Sequence, residues 1–63
     1  MEWVLVILTS YGLHAGLELT EITYATEERC VAALEGFGAD FEQLKRDDKK
    51  FAYTMRCEAR AKG

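Results

Sequence analysis

From Trp3 to Leu8 the chain reads Trp-Val-Leu-Val-Ile-Leu, six apolar residues without a break, opened by Glu2 and closed by Thr9. A strand with one wet face alternates apolar and polar residues. An unbroken aromatic and β-branched run this short therefore predicts a strand covered on both faces. In a small fold that position is the centre of a sheet, so the remaining elements must be arranged around this strand.

Sixty-three residues suit one domain, expected over 1–63. A chain this small hides only about 60% of the surface its unfolded form exposes. Burial alone then leaves it marginal, and a disulfide, a metal or self-association usually makes up the difference. The sequence offers two cysteines and one histidine for those roles. Plentiful Phe, Tyr, Trp, Leu, Ile and Val with a net charge of −3 exclude a disordered chain. The apolar run is too short to cross a bilayer, which takes roughly 20 residues, and it lacks the basic lead and small-residue cleavage site of a secretory signal. Met1 reads as the start of a cytoplasmic protein, with a periplasmic setting as the alternative. The difference matters because one compartment keeps thiols reduced and the other joins them.

Beyond the first strand, Ser10 to Gly16 carries Gly12 and Gly16, which predicts a hairpin connection longer than a two-residue turn. Residues 17–24 read as a second strand with Leu17, Leu19, Ile22 and Tyr24 as its apolar members. The alternation slips by one after Leu19, and a bulge near Thr20 or Glu21 would account for it. Thr26 followed by Glu27 and Glu28 is a helix start, since a Thr hydroxyl accepts an orphan N–H and carboxylates suit the positive end of the dipole. Cys30, Leu34, Phe37, Phe41 and Leu44 recur at helical spacing, widened by Val31 and Ala33. The stripe keeps its phase across Gly36 and Gly38, so one helix over about 27–45 is expected, with Lys45 and Arg46 complementing its end. A polar turn at Asp47 to Lys50 precedes an alternating strand over 51–58, placing Phe51, Tyr53, Met55 and Cys57 on one face. Ala59 to Gly63 has nothing to bury and should fray.

The element order is β-β-α-β, an α+β fold. A hairpin followed by a right-handed crossover brings the third strand to the free edge of the first. This predicts a three-stranded antiparallel sheet of order 2-1-3, strands near 2–9, 17–24 and 51–58, with one helix on one face.

The opening Met1-Glu2-Trp3-Val4-Leu5-Val6-Ile7-Leu8-Thr9, then Thr26-Glu27-Glu28-Arg29-Cys30, Ala32-Ala33 and a late alternating strand ending in Cys57 resemble short uncharacterised proteins of phages, prophages and proteobacteria. The resemblance runs over nearly the whole chain. It implies a compact β-β-α-β unit in which Cys30 and Cys57 match the paired cysteines, and it brings no activity or cofactor. The chain departs from that pattern in Glu2, where a basic residue is common, and in its basic tail.

The topology puts Cys30, in the first helical turn, and Cys57, near the end of the last strand, at the same end of the sheet. A disulfide closing that loop would contribute about 3 to 4 kcal/mol in the chain-entropy model. Two buried thiols serving as small apolar residues are the alternative. No Cys-x-x-Cys spacing supports a redox pair, and two cysteines with His14 fall short of a four-ligand zinc site. Ser10 and His14 share a loop without a nucleophile elbow around the serine. The pairs Glu27/Glu28 and Asp47/Asp48 are explained by a helix start and a turn. The expectation is a non-enzyme, with no catalytic residue, metal, cofactor or small-molecule substrate.

What remains is surface. The first strand is apolar on both faces, yet one helix covers one face. With Val4, Val6 and Leu8 under Leu34, Phe37 and Phe41, the residues Trp3, Leu5, Ile7, Leu17 and Leu19 are left for a protein partner, with Ala52 extending the patch. Tyr11 and Leu13 folding over that face would be the alternative cover. A contiguous apolar patch on so small a protein marks an interaction site, so the first functional reading is a protein-interaction module, phage or prophage borne, engaging a host protein or a second copy as a homodimer. The second reading rests on charge. Residues 1–44 carry eight acidic side chains against Arg29, while 45–63 carry seven basic against three acidic, giving −7 and +4. That tail offers Lys45, Arg46, Lys49, Lys50, Arg56 and Arg60 to nucleic acid, though Asp47 and Asp48 interrupt it.

Overall fold

The computed structural model describes residues 1–12 and 16–61. The elements are β1 (Glu2–Ser10), β2 (Leu17–Tyr24), α1 (Glu27–Asp47) and β3 (Ala52–Arg60). They form one antiparallel sheet of order β2-β1-β3 with the helix against it, the expected α+β arrangement.

The register on either side of β1 is continuous. Trp3 opposes Tyr24 and Ser10 opposes Leu17 on one flank. On the other, Glu2 opposes Arg60 and Ser10 opposes Ala52. β2 therefore has no bulge, and the slip in its apolar pattern has another cause: its apolar residues change sides. Leu17 and Leu19 stand beside Ser10 and Leu8, whereas Ile22 and Tyr24 stand beside Leu5 and Trp3. The last strand also outlasts its expected end, because Ala59 and Arg60 still pair with Trp3 and Glu2 instead of fraying.

The helix begins where its sequence asks. Thr26 Oγ1 accepts the Arg29 N–H at 3.2 Å, Glu27 and Glu28 fill the first turn, and Lys45 and Arg46 fill the last. At the far end the Asp48 N–H donates to the Leu44 carbonyl at 2.8 Å. Asp48 then accepts the Lys50 N–H on its carboxylate at 2.9 Å and the Phe51 N–H on its carbonyl at 3.1 Å, an Asx-type turn that redirects the chain into β3. The helix is unbroken across both glycines. Close approach to the sheet is not what places them there: a methyl on Gly36 would meet open space, and one on Gly38 would rest on Met55 at an ordinary 3.6 Å.

The core lies between the helix and the odd-numbered side of β1. Leu5, Ile7 and Cys30 are its buried centre, with Trp3, Ile22, Tyr24, Ala33, Leu34, Phe37, Phe41, Met55 and Cys57 packed around it. Val31 and Leu44, expected in the helix stripe, are exposed. An aromatic group extends this layer at one end. Phe51 is buried between Tyr11, Phe41 and Tyr53, with ring centroids 5.1, 5.6 and 6.0 Å away. The Tyr53 hydroxyl donates to the Glu42 carboxylate at 2.7 Å, and this bond raises the phenol pKa above its ordinary value. Cys30 and Cys57 stand at disulfide distance with Cα atoms 6.1 Å apart, tying the first helical turn to β3.

Candidate functional site

Side chains directly opposite on neighbouring antiparallel strands share a face, so the register sorts the sheet. The helix side takes Trp3, Leu5 and Ile7 of β1 with Ile22 and Tyr24 of β2 and Met55 and Cys57 of β3. The open side takes Glu2, Val4, Val6, Leu8 and Ser10, flanked by Leu17, Leu19, Glu21 and Thr23 and by Ala52, Thr54, Arg56, Glu58 and Arg60.

This corrects the expected parity of β1. Leu5 is 0% exposed and sits with Ile7 and Trp3 under the helix, so these three residues do not belong to the open face. The physical reason is size matched to space: the helix layer takes the large Trp, Leu and Ile side chains, and the two valines take the side without a helix. Leu17 and Leu19 do lie on the open side, at 77% and 59% exposure. Ala52 lies there as well, opposite Ser10. Tyr11 does not cover this face, since its ring packs on Phe51. Leu13 and His14 lie outside the described residues.

Without a helix above them, Val4 and Val6 are nonetheless only 4% and 6% exposed. Charged side chains from the two edge strands cover them. Arg60, opposite Glu2, donates through Nη2 to Glu21 Oε2 at 2.6 Å, and Glu21 is opposite Val6. That bond crosses β1 diagonally, over Val4. Arg60 also donates to Glu58 Oε2, from Nη2 at 3.2 Å and from Nε at 3.4 Å, and Arg56 Nη2 donates to Glu58 Oε1 at 3.4 Å. The Arg60 hydrogen bond, with help from Arg56, holds the Glu58 carboxyl below its ordinary pKa. The long stems of Arg and Glu shield the valines while the heads stay wet and paired. Sequence reading missed this lattice, although Arg56, Glu58 and Arg60 at alternate positions of one strand face already carry its signal.

The open face thus has two halves. One is ionic over valine. The other, around Leu8, Leu17, Leu19, Ser10, Thr54 and Ala52, carries no charged side chain in the pairings of the sheet. The basic residues divide in the same way: Arg56 and Arg60 are engaged by Glu58 and Glu21, and Lys45 and Arg46 complement the helix end. Lys49 and Lys50 lie in the turn.

Among the described residues no group of three or more His, Cys, Asp or Glu is placed to hold a metal, and no polar or charged residue is buried. No described helix is long and apolar enough to cross a membrane. Comparison with family models, curated proteins and solved structures returned no match.

Proposed function

We propose that this chain is a small protein-interaction module that binds another protein, a host protein or a second copy of itself, through the apolar half of its open sheet face. The observation that carries the reading is the pair of large, strongly exposed side chains Leu17 and Leu19 beside Leu8 on the side without a helix. In a chain with so little core, leucines left out of it have a use elsewhere. The resemblance to phage and prophage proteins favours a setting in which the partner is a host protein. Nucleic-acid binding has less support, because two of its six basic residues, Arg56 and Arg60, are paired with Glu58 and Glu21.

Site-specific photocrosslinking tests this. A crosslinker at Leu19 in proteobacterial cells should yield a discrete protein adduct that Leu17→Glu removes, while the same group at the exposed Glu35 yields none. Equal yields from both positions, or adducts to nucleic acid alone, would overturn it.

A further inference from the structure

The apolar half of the open face ends at β2, and β2 is an edge strand with no described strand beyond it. Half of the backbone N–H and C=O groups of an edge strand point outward, ready to template another strand, and proteins usually blunt such an edge with Lys, Pro, a bulge or a cover. Among the described residues β2 has none of these, and its charged side chains, Glu18 and Glu21, are both acidic. It is eight residues long, its register is unbroken, it contains neither Lys nor Pro, and only Ile22 and Tyr24 are drawn into the core. The opposite edge, β3, likewise lacks Lys, Pro and a bulge, but it carries two arginines, Arg56 and Arg60, and Tyr53 joins it to the helix through Glu42.

The chemistry of the occupant can be read from the two sides of β2. Leu17 and Leu19 project on the open side, whereas Glu18 and Thr20, opposite Thr9 and Ile7, project on the helix side. Glu18, Glu27 and Glu28 are all exposed, and no Lys or Arg occurs between Met1 and Glu28. A strand added here would meet Leu17 and Leu19 on one side and the exposed Glu18 carboxylate on the other. We infer that β2 captures an extended segment of another protein that alternates apolar with basic residues, by β-strand addition. A second copy of β2 is a poor occupant, because it would bring glutamates to glutamates. This inference rests on the interaction reading above and names the partner's chemistry.

The probe is a capped eight-residue peptide alternating Lys and Val, titrated into isotope-labelled protein at low salt, with a Glu-Val peptide as the control. The Lys-Val peptide should shift the amides of Leu17 to Glu21 and bind at least tenfold more tightly than Glu-Val. Methylating alternate backbone nitrogens of the peptide should weaken it about tenfold, since strand addition depends on main-chain donors, and Glu18→Lys should reverse the preference between peptides without touching the β2 backbone. Equal binding of both peptides, no effect of N-methylation, shifts confined to β3, or no binding at millimolar peptide would each overturn strand addition. If crosslinking from Leu19 persists in that event, the interaction reading stands and the occupant is of another kind, including a second copy, which sedimentation would reveal. If crosslinking fails as well, both readings fall.

Discussion

The two faces of β1 reach the same degree of burial by different means. On one, Leu5 and Ile7 are closed off by a helix and by the Cys30–Cys57 link. On the other, Val4 and Val6 are closed off by Arg60, Glu58, Arg56 and Glu21 reaching over from the flanking strands. The first cover is apolar, tightly packed and costly to open. The second consists of solvated ion pairs, which salt screens and which can move aside. A three-stranded sheet with one helix can thus keep an apolar central strand out of water on both sides, provided that the unsupported side uses small residues and long charged neighbours.

The largest effects should separate the two covers. Leu5→Glu places an unpaired charge under the helix and should unfold the protein, whereas Val6→Gln, flanked by Glu21 and Arg56, should leave a dispersed NMR spectrum. The milder pair makes the same distinction by denaturant titration: Leu5→Ala should cost about 3 to 5 kcal/mol, and Val6→Ala about 1 kcal/mol. Equal losses would break the comparison.

Next in size is the link between helix and sheet. With a sequence separation of 27, opening it by reduction or by Cys57→Ser should cost about 3 kcal/mol by loop entropy. Thiol titration of unfolded protein with and without reductant, followed by denaturation of each form, measures this. An unchanged midpoint would mean that packing alone holds the helix.

The helix cover can also be strengthened without touching the sheet. Gly36→Ala, in open space, should add about 1 kcal/mol from helix propensity. Gly38→Ala should also add stability, because its methyl would touch Met55 without crowding it.

The smallest effect belongs to the ionic cover. Glu58 has its pKa lowered chiefly by the Arg60 hydrogen bond, so its contribution is present above the ordinary carboxylate range and is lost as pH falls through the lowered value. Arg60→Ala should move the Glu58 midpoint, followed by carboxyl NMR shifts, back up towards that range. A midpoint that stays put would leave the lattice without energetic weight.

Much of this fold was legible because local and global signals agree. The apolar run marks the central strand, Thr26 with two glutamates marks the helix start, and the Phe51 to Cys57 alternation marks a helix-facing side. The parity of β1 was not legible from hydrophobicity, since both of its faces are apolar. A subtler mark was available: Glu2 and Ser10 end the even-numbered side, and its interior residues include both valines. The pattern slip in β2 was ambiguous because a bulge and a change of allegiance leave the same trace. There the helix claims only Ile22 and Tyr24, and Leu17 and Leu19 are released to the other face. The ion lattice was hidden for a different reason: Glu21 and Arg60 are far apart in sequence, and only the register brings them together across Val4.

That register has a consequence for how the chain acquires its shape. The most apolar strand is the first to be made, and its neighbour on one side is β3, the last of the four elements, with Glu2 meeting Arg60. Its other neighbour, β2, follows within a short loop. The hairpin can therefore close early, while the second edge of β1 stays unsheltered until the helix and β3 have been made. Topologies dominated by such distant pairings fold slowly and expose sticky strand edges on the way. The slow step should be the docking of β3, and it is the moment at which a nascent chain is most open to capture by its neighbours.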